Sequence, residues 1–198
     1  MKIIKGGSGG KELACTAEEL KAVNAFAKAE LSAEDVYIFS VLLCDNEIDR
    51  DHERFSEATL RELGELFVGV TGICDHDWRS DNQVARIYRT ELVTDKNRKN
   101  SLGADYVYLK GYAYMLRTEA NAQIDGGIKR ETSVGCSVAR SVCSVCGEEL
   151  GTCTHVKGRT YGGKECYAIL EGAVDAYEWS FVAVPAQRGA GVIKSFVE

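Results

Sequence analysis

The sequence predicts a strand-rich α+β chain with antiparallel connections and a few helices. Three observations carry that expectation. Apolar runs of strand length, rich in β-branched and aromatic residues, recur at 36–43 and 106–115. Two amphipathic helical patterns each follow a hydroxyl residue suited to capping. Polar turns and a glycine pair punctuate the intervals between these segments.

Residues 1–12 are rich in Gly and Lys and are expected to be mobile. Residues 17–29 read as a helix: Thr16 can cap it, Glu19 stands three residues later, and Leu20, Val23, Phe26 and Ala27 share a face. Residues 36–43, VYIFSVLL, read as a buried strand. Ser56 then precedes EATLRELGELF, an amphipathic helix with Leu60, Leu63 and Phe67 on one side. The short apolar segment 70–73 leads into Cys74-Asp75-His76-Asp77-Trp78. Residues 83–93 and 106–115 read as two strands joined by a polar turn around 95–101. Residues 118–124 read as a helix that breaks at Gly126-Gly127, and 131–139 as a strand of small residues. A cysteine-rich stretch follows. Residues 166–170 are expected to rejoin the sheet, and 177–184 to form a final strand closed by Pro185 at an edge.

With 198 residues the chain suits one domain of ordinary size with room for an insertion. Hydrophobic residues make up 45% and charged residues 27%, the balance of a chain with a real core. No apolar run approaches the ~18 residues of a membrane span. The N-terminal lysines are followed by no apolar stretch, so no signal peptide is expected. The net charge of −6, from 24 basic and 30 acidic side chains, argues against nucleic acid as the main partner, because phosphate binding needs clustered Lys and Arg.

The eight cysteines are unevenly spread. Cys15, Cys44, Cys74 and Cys136 are scattered, whereas Cys143, Cys146, Cys153 and Cys166 crowd one stretch. Local crowding in a chain without a secretion signal points to metal rather than to disulfides. A C-x2-C pair followed by Gly147 is how a zinc knuckle begins: one tight turn supplies two thiolates, and the glycine lets the backbone bend toward the metal. Cys153 and His155 supply a second pair, with Cys166 as an alternative ligand. Four protein ligands leave no position for water, so such a Zn2+ site is structural. The competing reading is a set of buried free cysteines or a redox-active C-x2-C pair.

There are three histidines. His155 falls in the metal stretch, and His52 lies in the charged run Asp-Arg-Asp-His-Glu-Arg. His76 follows an apolar segment and has Trp78 to shield it, which suits a general base. It could equally be a ligand in a Cys74/His76/Asp77 cluster or a polar loop residue. Ser133 has the small neighbours a nucleophile needs so that substrate backbone can come close, although ordinary strand packing would look the same. Glu178 interrupts a strongly apolar strand; it needs a partner if buried, and none if its face is exposed.

The order of these pieces resembles the prohead proteases of tailed phages, which share a fold with herpesvirus assemblins. The "xHD"-like motif is matched by Cys74-Asp75-His76-Asp77-Trp78. The "ExSxG"-like strand is matched by Glu131-Thr132-Ser133-Val134-Gly135. The later "E-x-S-x-V-x-x-PA" strand is matched by Glu178-Trp179-Ser180-Phe181-Val182-Ala183-Val184-Pro185-Ala186. Asp45 to Asp51 and Phe55-Ser56 are similar to the family's opening segment, and the resemblance spans roughly 36–194. The chain departs from the pattern by its cysteine stretch, which many members lack, and by Glu178, where assemblins use a second histidine.

This resemblance implies a mostly antiparallel, β-barrel-like sheet flanked by helices. A variable N-terminal segment with a helix would occupy 1–30. A protease-like domain would occupy 31–198, with the zinc-knuckle insertion at about 141–166. It further implies a serine endopeptidase in which Ser133 attacks, His76 carries the proton and Glu178 orients the imidazole, through an acyl-enzyme. The implied substrates are scaffold segments and the major capsid protein inside an immature shell in the host bacterial cytoplasm. Self-association is a further expectation, and neither nucleic acid nor a membrane is. The alternative is a catalytically inactive, zinc-stabilised assembly or scaffolding protein on the same fold.

Overall fold

A computed structural model of the chain describes residues 15–193. The mobility expected of residues 1–12 concerns residues outside that range. Helix α1 (Ala17–Asn24) begins where Thr16 Oγ accepts the Glu19 N–H at 3.2 Å. It ends short of residue 29 because the Asn24 side chain bonds both the N–H and the C=O of Leu31 and turns the chain back.

Strand β1 (Val36–Asp45) is buried at every position, as a continuous apolar run should be when both faces are covered. Tyr37, Phe39, Val41 and Leu43 face the main core, while Val36 and Ile38 pack with Val23 of α1. Strand β2 (Glu53–Phe55) leads into α2 (Glu57–Leu66), capped by Ser56 and anchored by buried Leu60 and Leu63. Strand β3 (Thr71–Cys74) is followed by a 3-10 turn at Ser80–Asn82 and by the long hairpin β4 (Ala85–Lys99) and β5 (Asp105–Leu116). Helix α3 (Asn121–Asp125) precedes β6 (Thr132–Cys143). The short pair β7 (Thr160–Tyr161) and β8 (Lys164–Glu165) comes next, then β9 (Ala168–Phe181) and β10 (Gly191–Val192).

The α+β class stands, with most of the regular structure in strands. The barrel does not. The main sheet runs β10-β1-β5-β4-β3-β9-β2, with β6 on β9, and it is not closed. Its ends approach at one isolated antiparallel bridge, Glu131 to Gly191, because β10 is two residues long and offers no further ladder. The connections are also not uniformly antiparallel, since β2 and β3 both lie parallel to β9.

The two strands expected at 166–170 and 177–184 are one strand, β9, followed by β10 rather than ending the sheet. It is held as one by the register with β6, from Thr132 against Phe181 to Cys143 against Ala168. Trp179 on β9 is fully buried and fits because β3 has a glycine beside it: a Cβ on Gly72 would sit 2.4 Å from Trp179 Cζ2. Among the described residues no helix is long and apolar enough to cross a membrane.

Candidate functional site

His76 is delivered by the turn after β3. Asp75 and His76 both have positive φ, 54° and 53°, a left-handed conformation that costs a non-glycine residue roughly 1–2 kcal/mol each. The turn is pinned on several sides. The Asp75 N–H donates to Phe181 O at 2.9 Å, the His76 N–H to Ser180 Oγ at 2.8 Å, and the Asn82 amide to Cys74 O at 2.9 Å. Parallel pairing of β3 with β9 places Cys74 against Phe181 and so brings this turn over the end of β9.

From β9, Glu178 meets the imidazole: Oε1 lies 2.7 Å from His76 Nδ1. The Glu178 side chain is 4% exposed and that of His76 42% exposed. With the carboxylate as acceptor, the contact requires the proton on Nδ1 and leaves Nε2 as the nitrogen turned to other partners. Gly135 lies opposite Glu178 on β6, and a Cβ there would sit 2.2 Å from Oε1. The carboxylate therefore takes up the space above a residue without a side chain. Its other oxygen, Oε2, is buried and has no hydrogen-bond partner among the described residues.

Ser133 stands on β6 opposite Ser180, half-buried. It shares with His76 a cleft of about 580 Å³, with apolar surface from Leu43, Phe55, Val138 and Leu170 and an acidic wall of Asp49, Asp51 and Glu53. Among the described residues no hydrogen bond joins Ser133 Oγ to His76. Cys136 also lines the cleft, but burial, then the Glu178 and Glu53 carboxylates, push its thiol up to about 11. It is a neutral thiol near neutral pH and a poor nucleophile.

The cysteine stretch converges. Ligand atoms of Cys143, Cys146, Cys153 and His155 all lie within 4.8 Å of one another, an arrangement compatible with a metal such as zinc. Cys143 Sγ is 3.7 Å from His155 Nδ1 and 3.8 Å from Cys166 Sγ. Two sulfurs on one tetrahedral zinc stand about 3.8 Å apart, given Zn–S bonds of about 2.3 Å, so the Cys143–Cys166 spacing keeps Cys166 as the alternative ligand. Gly147 has φ 79° and donates its N–H to Cys143 O at 2.9 Å, closing the knuckle. Burial would raise the Cys143 thiol, but the Cys146 and Val145 amides and the neighbouring thiols bring it to about 6. Burial and Cys143 push Cys166 up to about 11. None of residues 144–165 is buried, so this segment has no apolar core of its own and fits a metal as its organising centre. Cys166 stands beside Cys143 but outside the group of four.

The structure thus brings His76 and Glu178 into contact, sets Ser133 in the same cleft, and gathers four of the five metal candidates. A Cys74/His76/Asp77 ligand cluster is not formed among the described residues, and Nδ1 of His76 is engaged by Glu178. Sequence reasoning missed Ser180 as the acceptor for the His76 backbone, although the period of two that puts it on the Glu178 side of β9 was present. No family model, curated protein or solved structure matches the chain.

Proposed function

We propose that this chain is a serine endopeptidase in which Ser133, His76 and Glu178 act as a triad, and that it matures phage proheads by cutting scaffold and capsid segments. The observation that carries the reading is the 2.7 Å contact between a buried carboxylate and Nδ1 of a half-exposed histidine, beside a serine in the same cleft. The prohead assignment rests on the order of the three motifs along the sequence.

Glu178 holds the imidazole in one tautomer, with Nε2 free to take the Ser133 proton as Oγ attacks the scissile carbonyl. The protonated imidazole, stabilised by the carboxylate, then gives that proton to the leaving amine. Water repeats the cycle on the acyl-enzyme. Ser133 reaches His76 only when substrate draws the two together, as hydrogen bonds in unliganded sites are often long. A metal held by Cys143, Cys146, Cys153 and His155 has no open position for water and serves structure.

Co-expression with the capsid protein tests this: Ser133→Ala and His76→Ala should abolish its processing, with a fall in rate of at least about 10⁴-fold. A fluorophosphonate probe should label Ser133 and lose its target in both variants. The second reading, a catalytically inactive metal-braced assembly protein, is favoured by the lack of a Ser133–His76 hydrogen bond. It predicts no labelling and intact processing in both variants.

A further inference from the structure

The cysteine-rich insertion grips the acidic wall of the cleft. Lys157 lies two residues beyond His155 and pairs with Glu53. Glu165 lies one residue before Cys166, and its Oε1 is 3.0 Å from Nδ1 of His52. Gly158 packs its backbone on the same imidazole: a Cβ there would meet His52 Nε2 at 2.8 Å, and its φ is 79°. Backbone bonds close the unit. Gly158 N–H donates to Cys166 O and Cys166 N–H to Arg159 O, both at 2.8 Å, while Ala168 N–H donates to His52 O at 2.9 Å. The loop after one candidate ligand is therefore laced to the strand around Cys166, and both are laced to residues 52 and 53.

That wall needs support from outside. His52 has φ 55°, a strained conformation for a residue with a side chain. Asp49 turns the segment by accepting the Asp51 and Glu53 N–H groups on its side chain, at 2.9 and 2.8 Å. Asp49, Arg50, Asp51 and Glu53 line the cleft with Ser133 and His76. The insertion that supports them has no buried residue between 144 and 165, so its own shape depends on the convergence of Cys143, Cys146, Cys153 and His155.

We infer that metal binding in the insertion sets the geometry of the acidic wall, with Lys157 and Glu165 as the positioning residues that transmit it. The metal then tunes how substrate is received and leaves Ser133, His76 and Glu178 as they are. The substrate part of this inference rests on the peptidase reading; the structural part does not.

Amide exchange on the full chain tests the structural part. Stripping zinc-loaded protein with a chelator should speed exchange across 49–55 by about tenfold or more, while amides of β1, β4 and β5 keep their protection. A Lys157→Met/Glu165→Ala variant that keeps its metal should show the same loosening at 49–55. It should also raise KM about tenfold at unchanged kcat, the pattern of lost substrate binding rather than lost chemistry. Should stripping loosen every strand, the metal-loaded double variant decides. Unchanged protection at 49–55 in that variant overturns the inference. A wild-type chain without peptidase activity would sink the proposed function instead, with the exchange result still judging the coupling.

Discussion

Glu178 and Gly135 face each other across the β6–β9 ladder, and the carboxylate fills the volume that any side chain at 135 would need. A Cβ 2.2 Å from Oε1 cannot be accommodated unless the carboxyl moves or the β6 backbone gives way, and that backbone already shifts register between Gly135 and Cys136. Gly135→Ala should therefore break the contact to His76 Nδ1 while leaving the three proposed catalytic side chains chemically intact. The expected loss in kcat is about 10²–10⁴-fold, the range for an unoriented histidine base. Turnover of a capsid-derived peptide checks it, with circular dichroism confirming that the sheet remains.

Ser180 holds the histidine from the other side. Its hydroxyl is buried and accepts the His76 N–H at 2.8 Å, in a turn where two successive residues have positive φ. Ser180→Ala leaves that amide short of an acceptor, a cost of about 1–3 kcal/mol. Because the strain sits in the same turn, the loss should fall on the position of His76. Urea unfolding should show a drop of that size, and kcat should fall more than KM rises.

Much of this was legible from local sequence. The apolar run of β1, the Ser56 cap of α2 and the hydroxyl cap of α1 are decided by neighbours within a few residues. So is the knuckle turn at Cys143 and Cys146. What was not legible depends on distant pairing. The middle of β9, with Gly172 at φ 72° and an exposed Asp175, falls between the two strands expected from sequence. It stays one strand because β6 lies along it and because Gly172 N–H donates to Thr59 Oγ1 on α2. The parallel seats of β2 and β3 on β9, and hence an open sheet instead of a barrel, likewise come from long-range contacts. His52 read only as part of a charged run because its partner, Glu165, is 113 residues away.

Cys136 offers a check on which cleft residue is nucleophilic. Its thiol is pushed up to about 11, so in the folded protein at pH 7–8 almost none of it is thiolate. With the insertion loaded with zinc and its thiolates so protected, peptidase activity should survive iodoacetamide in that range, and mass spectrometry should find Cys136 unmodified. The same shift has a consequence for stability. A thiol whose folded value lies above its unfolded value of 9.0 stabilises the fold below that pH. The contribution is lost as pH rises from about 9 to about 11, since the unfolded chain releases the proton first. Cys136→Ala should flatten stability across that window relative to wild type.

The metal ligands can be separated by the same kind of reasoning. Cys143, Cys146, Cys153 and His155 converge to within 4.8 Å, whereas Cys166 neighbours Cys143 outside that group and is fully buried. Protein purified without added metal should bind about one equivalent of zinc. His155→Ala should cut affinity by more than the roughly 10–100-fold that losing a mere outer-shell partner costs, and lower the melting temperature by about 10 °C. Cys166→Ala should keep close to one equivalent and lose stability only through the small cavity it leaves. The reverse result, metal retained without His155 and lost without Cys166, would make the site a four-cysteine one. It would also hang the insertion directly on the chain entering β9, where Cys166 sits two residues before Ala168.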